Sequence, residues 1–212
     1  MALAVAISLA GCDQPVERTP SVIDTPDVVW ETPEQWVSTS PLEEDERVKA
    51  ARSAELGLAL ATNARDFSIA QITDYLPART VDEYYDGYDN TRLLRYVGPP
   101  IMLPLALTEL EDGGAEVTFC VVDHWTIDAR KTQASYDFAD GTTRVYTVEK
   151  DADGGNLVLT GWQGLSEPCD ATGAPVGRFD PPVAPLDPDD LDPVVPRVGY
   201  RDDWWKDDYD TD

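Results

Sequence analysis

The sequence predicts an α+β fold, in which helices come first and an antiparallel sheet follows. Apolar residues recur at helical spacing after Ser40, and they alternate along the chain after residue 115. Gly98-Pro99-Pro100 separates the two patterns. Helices followed by a run of strands are typical of the α+β class, and 212 residues leave room for one domain with additional segments at its ends.

Capping signals mark the predicted helices. Ser40 and Glu43 form a capping box, in which each side chain satisfies a free backbone N–H at the helix start. Thr80 and Glu83 repeat this signature, and Pro77 ends the helix before it. We therefore expect three helices, at Pro41–Asn63, Phe67–Leu76 and Val81–Leu94.

Four strands follow the glycine–proline break, with turn residues between them. They are predicted at Ile101–Leu110, Glu116–Ile127, Thr142–Lys150 and Asn156–Leu165. Pro104 confines the first strand to a sheet edge or a bulge. Glu111-Asp112-Gly113-Gly114 is a hairpin turn, and the strand that follows it is apolar on both faces, which is typical of a central strand.

This order of elements resembles the NTF2-like cone fold, in which N-terminal helices pack on a curved antiparallel sheet. The resemblance covers Glu43 to Asp170 and rests on the order and lengths of the elements. It implies a domain over residues 40–170 with a pocket between helix and sheet. Another helix-on-sheet fold, such as a cystatin-like one, is the alternative.

Residues 1–11 are predicted to be a signal peptide. The apolar run from Ala2 to Ala10 is too short to span a bilayer and ends in small residues. Leu9-Ala10-Gly11-Cys12 resembles the lipobox of bacterial lipoproteins, and small exported lipoproteins of actinobacteria look similar. The resemblance implies that Cys12 is acylated and begins the mature protein. No Lys or Arg lies in the first ten residues, and a buried apolar segment is the alternative.

Polar segments flank the predicted domain. Residues 12–39 contain four prolines among polar residues, which favours an extended tether that follows the lipidated cysteine. Residues 171–212 alternate proline with aspartate, so we expect an acidic, disordered tail there. Together these features predict a protein held to the extracytoplasmic face of the cell membrane by Cys12, its anchor in the lipid bilayer.

The net charge limits the classes of partner, and the cysteine content indicates a disulfide. The net charge of -25 excludes a nucleic-acid partner held through phosphate contacts, because such contacts need clustered Lys and Arg. Apart from Cys12, the sequence contains two cysteines, Cys120 and Cys169. An even pair in an exported domain predicts one disulfide, whereas a cytosolic protein would keep two free thiols.

The candidate ligand-binding residues are aromatic. Tyr84 and Tyr88 are four residues apart and share a helix face, while Trp125 and Trp162 lie on predicted strands. We expect these four to line the pocket, although aromatic residues at such positions also build cores. His124 is the only histidine and joins them as a fifth candidate, without a carboxylate on its own strand face.

No recognised motif assigns a reaction to the chain. The sequence has neither a calcium, zinc or phosphate motif nor a hydrolase motif, so we expect no catalytic residue, metal or cofactor. We therefore predict a non-enzymatic lipoprotein whose cone domain binds an envelope protein partner or a small apolar ligand. The alternatives are an enzyme that uses the cone pocket for acid–base chemistry, and an exclusion or immunity lipoprotein that blocks an envelope protein.

Overall fold

The computed structural model describes residues 21, 23–31, 41–88, 94–111, 113–122, 125–128, 137–152, 154–184, 186–187 and 191–201. The predicted signal peptide, Cys12 and His124 lie outside these residues.

The described residues form a mixed α+β protein, as predicted. Its helices are α1 (Glu46–Ala64), α2 (Ala70–Thr73) and α3 (Ala78–Asp86), with 3-10 turns at Pro41–Glu44 and Phe138–Asp140. Its strands are β1 (Asp27–Glu31), β2 (Leu94–Tyr96), β3 (Ile101–Glu109), β4 (Ala115–Val122), β5 (Thr126–Asp128), β6 (Gly141–Lys150), β7 (Leu157–Cys169) and β8 (Val176–Asp180).

The central sheet has four antiparallel strands in the order β3-β4-β6-β7. The prediction that β3 is a bulged edge strand is confirmed, because its register with β4 shifts between Pro104 and Ala106. β4 has a neighbour on each side and is the central strand that its apolar faces predicted. The predicted strand Glu116–Ile127 is in fact two, since β5 leaves the sheet and pairs with β2.

The helices begin and end at residues other than the predicted ones. Asp45 caps α1, because its carboxylate accepts a hydrogen bond from the backbone N–H of Arg47 at 2.9 Å, and the predicted cap Ser40 lies outside the described residues. α3 starts directly after Pro77, earlier than predicted, and ends before Gly87 instead of continuing to Leu94.

The main core lies between the helices and one face of the sheet. It contains the buried side chains of Val48, Ala51, Ala54, Leu58 and Ala61 of α1, Val117, Phe119 and Val121 of β4, and Tyr146 and Val148 of β6. Small residues bring α1 close to its neighbours. A Cβ atom on Gly57 would lie 2.9 Å from the carbonyl oxygen of Gln71, so only glycine permits this approach of α1 to α2.

A second cluster lies on the opposite face of β4. It contains Ile101, Cys120, Val122, Trp125, Ile127, Ala171, Ala174 and Val176. The predicted disulfide is confirmed within it, since Cys120 and Cys169 are bonded with their Cα atoms 5.8 Å apart.

Segments from both ends of the chain pack on the domain. β1 pairs antiparallel with β8, Ser21 forms a bridge with Ile69, and Val195 forms one with Asp66. Parts of the predicted tether over residues 12–39 and of the predicted disordered tail over residues 171–212 therefore form strands and bridges that pack on the domain. β8 buries both Val176 and Phe179, which an argument from average composition overlooks.

An ion pair also holds the C-terminal segment. Arg197 pairs with Asp82, whose side chain is only 1% exposed, and donates a further hydrogen bond to the carbonyl oxygen of Ala78. The Tyr200 hydroxyl donates to Asp86 at 2.6 Å.

Within the described part of the chain, no helix has the length and apolar character needed to cross a membrane.

Candidate ligand cavity

A cavity of about 240 Å³ lies between α1, α3 and the β2–β5 pair. Four aromatic side chains dominate its lining, and we call it the tyrosine cavity. Its lining includes Phe67, Tyr84, Tyr88, Tyr96, Glu55, Leu58, Thr62, Leu94 and Thr126. At about 30 Å³ for each water molecule, its volume corresponds to roughly eight waters, which is the size of a small organic molecule.

Helix α1 brings a carboxylate to the cavity. Glu55 lies four residues after Ala51 and three before Leu58, and both of these neighbours are buried. Its own side chain is half-buried and lines the cavity beside Leu58 and Thr62. A charge thus interrupts the apolar stripe of the helix at the point where the cavity forms.

The side-chain amide of Asn63 fixes the opposite wall. Its Nδ2 donates to the carbonyl oxygen of Tyr96 at 2.9 Å, and its Oδ1 accepts from the backbone N–H of Tyr96 at 2.8 Å. Arg95 then donates to the backbone carbonyl of Asn63 at 2.8 Å. The end of α1 is therefore hydrogen-bonded to the backbone of β2, much as a neighbouring strand would be. On its other side β2 pairs with β5, where Tyr96 lies opposite Thr126.

Two tyrosines come from α3 and the residues directly after it. Tyr84 lies on α3, and Tyr88 lies two residues beyond its end. The Tyr88 ring stands edge-on to Phe67 with 5.5 Å between ring centroids. The Tyr88 hydroxyl is buried and has no hydrogen-bond partner within the described residues. A buried hydroxyl without a partner costs free energy, which a hydrogen-bonding ligand would recover.

The electrostatic environment keeps the nearby phenols protonated. Burial raises the pKa of Tyr84 well above 10, the Glu55 carboxylate raises it further, and a hydrogen bond from the Trp162 indole opposes both. Burial likewise raises the pKa of Tyr146, and Glu55 adds to the shift. These hydroxyls remain neutral at physiological pH, where they can both donate and accept hydrogen bonds.

Tyr84 also borders a second opening on its other side. This adjoining cleft measures about 360 Å³ and is lined by Thr80, Glu83, Tyr84, Gly87, Gly161 and Trp162. Trp162 is 48% exposed, and the Arg144 guanidinium lies 5.2 Å from the centroid of its ring. The two openings share Tyr84 and Gly87 in their linings.

The structure brings three of the five sequence-predicted site residues together. Tyr84 and Tyr88 line the tyrosine cavity, and Trp162 lines the adjoining cleft. Trp125 lies elsewhere, because this side chain is 1% exposed inside the second cluster and its indole N–H donates to the Gly177 carbonyl at 2.9 Å. His124 lies outside the described residues.

Sequence reasoning missed most of the cavity lining, including Glu55, Phe67, Tyr96 and Thr126. Glu55 carried a signal, since a glutamate on the apolar face of a helix is unusual and indicates a functional or structural partner. Phe67 lies in the turn between α1 and α2, while Tyr96 and Thr126 lie on the short strands β2 and β5. Their meeting depends on contacts between distant parts of the chain.

Two larger clefts, of about 530 and about 610 Å³, have a more polar lining. The first includes Asp74, Asp151 and Arg197, and the second includes Glu46 and Lys49. In the described residues there is no group of three or more His, Cys, Asp or Glu side chains arranged to hold a metal ion. An apolar pocket with a few convergent polar groups is the better candidate for a ligand site.

Comparisons with models of protein families, with curated proteins and with solved structures find no match for the chain.

Proposed function

We propose that the chain is a non-enzymatic, lipid-anchored extracytoplasmic protein that binds a small, largely apolar ligand in the tyrosine cavity. The observation that carries this proposal is the lining, in which Phe67, Tyr84, Tyr88 and Tyr96 surround a space of about 240 Å³. Aromatic walls supply apolar contact area, and the hydroxyl groups together with Glu55 supply the few polar contacts that orient a ligand.

The proposed fold assignment is NTF2-like. A long first helix across one face of an antiparallel sheet, with a cavity between helices and strands, is the arrangement that this assignment requires. The terminal β1–β8 pair would be an addition to such a domain, packed at its edge.

Export is supported by the cysteine chemistry. The bond between Cys120 and Cys169 is of a kind that persists in oxidising compartments and is rare in a reducing cytosol. This agrees with a lipobox at Leu9-Ala10-Gly11-Cys12. Anchoring at Cys12 would keep the domain near the bilayer, because Cys12 and Ser21 are nine residues apart and an extended chain of that length reaches only about 30 Å.

Ligand binding is tested by filling the cavity. Saturation-transfer NMR of the purified full chain against small neutral aromatic probes such as indole should show binding. Thr126→Phe should abolish that binding, because the new ring occupies the cavity. Thr118→Phe is the matched control, since Thr118 lies on β4 and does not line the cavity. Probe signals that are unchanged in Thr126→Phe, or absent throughout, would contradict the proposal.

The anchor is tested separately by mass. Intact-mass analysis of membrane-extracted protein should show a diacylglyceryl adduct on a chain that begins at Cys12. Cys12→Ser should release the protein from the membrane or leave it unprocessed. Unchanged processing and membrane retention in that variant would refute the lipoprotein assignment and leave the cavity assignment standing.

A further inference from the structure

We propose that the ligand of the tyrosine cavity carries a positive charge on an organic ammonium group, an inference that rests on the proposed function. The lining places four aromatic rings and one carboxylate around the same small space. Aromatic ring faces attract an ammonium ion through their quadrupoles, and a carboxylate attracts it through its charge.

The aromatic part of the site has the composition of a cation cage. Phe67, Tyr84, Tyr88 and Tyr96 all line the cavity. Phe67 and Tyr88 meet edge-on with their planes 67° apart, so the two rings present differently oriented faces and edges to their surroundings. Sets of such rings recognise quaternary ammonium and methylated amine groups.

The charged part of the site is Glu55. It is the one ionisable carboxylate in the described lining, which contains no Lys, Arg or His. Its field reaches the surrounding phenols, since it raises the pKa of both Tyr84 and Tyr146. Glu55 has interactions elsewhere in the chain as well, so a ligand cation would share a carboxylate whose oxygens can accept several hydrogen bonds.

Two basic groups lie near the cavity without lining it. Arg144 stacks on the ring of Trp162, which lines the adjoining cleft, and its charge opposes the burial and the Glu55 charge that raise the pKa of Tyr84. Arg95 donates to the backbone carbonyls of Asn63 and Ala184, and its burial lowers its pKa, whereas Tyr88 raises it. The described lining itself carries Glu55 and no basic side chain, and the net charge of -25 further raises the local concentration of cations.

The composition of the lining favours an organic cation over a metal ion. Calcium and magnesium need about six or more oxygen ligands in a compact shell, and the described lining offers one carboxylate among rings and hydroxyls. An ammonium group with methyl substituents instead gains from apolar contact and from charge at once, which is what this lining supplies.

The test compares choline with 3,3-dimethylbutan-1-ol, its uncharged counterpart of nearly the same shape. Isothermal titration on the purified full chain should show choline binding at least tenfold more tightly than the alcohol. Glu55→Gln should weaken choline binding about tenfold and leave binding of the alcohol unchanged. Glu116→Gln removes the same charge from an exposed position on β4 and should change neither value.

Ring faces are tested with a second pair of variants. Tyr88→Phe keeps the ring and loses only the hydroxyl, so it should weaken choline binding less than Tyr88→Leu, which removes the ring and should weaken binding severalfold. Thermal unfolding of each variant identifies any that fail to fold. Because Glu55 and Tyr88 are different positions, a variant that fails to fold at one of them still leaves the test at the other.

Three outcomes would overturn the inference: equal affinity for choline and the alcohol, choline binding that is insensitive to Glu55→Gln, or no choline binding at all. If neutral aromatic probes still bind in a manner sensitive to Thr126→Phe, the proposed small-ligand function survives any of them. If those probes fail as well, the proposed function falls together with the inference.

Discussion

The two apolar clusters on either side of β4 are built in different ways. The main core joins α1 to all four strands of the sheet, and its residues on α1 and β4 recur at regular spacing. The second cluster joins short pieces of several segments, among them Ile101, Trp125 and the stretch from Ala171 to Val176. The first cluster therefore depends on area buried by regular elements, and the second on specific links between segments.

Those links are of three kinds. The disulfide fixes Cys169 to β4, the Trp125 indole donates to the Gly177 carbonyl at 2.9 Å, and the Phe179 backbone N–H donates to the Val97 carbonyl at 2.9 Å. Two glycines also make the close approach possible, because a Cβ atom on Gly98 would lie 1.8 Å from the Gly177 oxygen. The difference teaches that a cluster with little apolar area is stabilised by fixing its parts to one another.

The largest expected effect is in the main core. Phe119 is fully buried, and its ring stands edge-on to Tyr146 with centroids 5.4 Å apart. Phe119→Ala should lower the free energy of unfolding by about 3–5 kcal/mol, because it removes apolar area and leaves a cavity. Urea denaturation followed by circular dichroism measures this. Phe119→Leu should cost clearly less, and equal losses for both variants would contradict the cavity argument.

A smaller effect is expected when the link in the second cluster is removed. Cys120→Ala combined with Cys169→Ala opens a loop of 49 residues, for which the chain-entropy model gives about 4 kcal/mol and native strain or residual structure lowers the loss. We expect a loss of about 2–4 kcal/mol. Hydrogen exchange should show faster amide exchange at β8 first, with β4 and β6 still protected. Uniform loss of protection across the sheet would show that the two clusters are not separable.

The same contrast explains what the sequence could predict. Periodicity and turn residues predicted the helix over α1, the hairpin turn Glu111–Gly114 and the central position of β4, since each is encoded within a short window. The pairing of β1 with β8 was missed because it joins segments far apart in the chain and rich in Pro and Asp. The average composition of a segment does not reveal that individual side chains in it, such as Val176 and Phe179, are buried.

The candidate site divides in the same way. Tyr84 and Tyr88 could be paired from their spacing on one helix. Their meeting with Phe67 and Tyr96 could not, because it depends on how Asn63 holds β2 against the end of α1. Trp125 was misplaced because alternation was extended through the end of β4, whereas the chain leaves the strand at Val122.

The attachment of the C-terminal segment gives a third, intermediate effect. Arg197→Ala leaves the Asp82 carboxylate, which is 1% exposed, without its cation. We expect a loss of about 2 kcal/mol, reduced from the cost of a fully buried pair because the Arg197 side chain is partly exposed. Denaturant titration measures it. Asp82→Asn combined with Arg197→Met should recover part of the loss, and a double variant as unstable as the sum of the single ones would show that the pair is not coupled.

The smallest expected effect concerns the cap of α1. Asp45 accepts hydrogen bonds from the backbone and side chain of Arg47, and these interactions lower its pKa below 3.8. Because the folded state has the lower pKa, the charge of Asp45 stabilises the protein fully above the unfolded value. That contribution is lost as the pH falls through the folded value. Asp45→Ala should cost about 1 kcal/mol at pH 7, the usual magnitude for a lost cap.

The pH dependence separates the charge of Asp45 from its capping hydrogen bond. Asp45→Asn keeps a capping oxygen but has no charge. At pH 7 its stability should therefore lie between that of the original chain and that of Asp45→Ala. Urea denaturation between pH 2 and pH 7 should show the difference between the original chain and Asp45→Asn shrinking toward zero below pH 3.8. Asp24→Asn, at an exposed position outside any helix, provides the comparison. A difference for Asp45→Asn that stays constant down to pH 2 would show that the ion pair with Arg47 contributes nothing to the stability of α1.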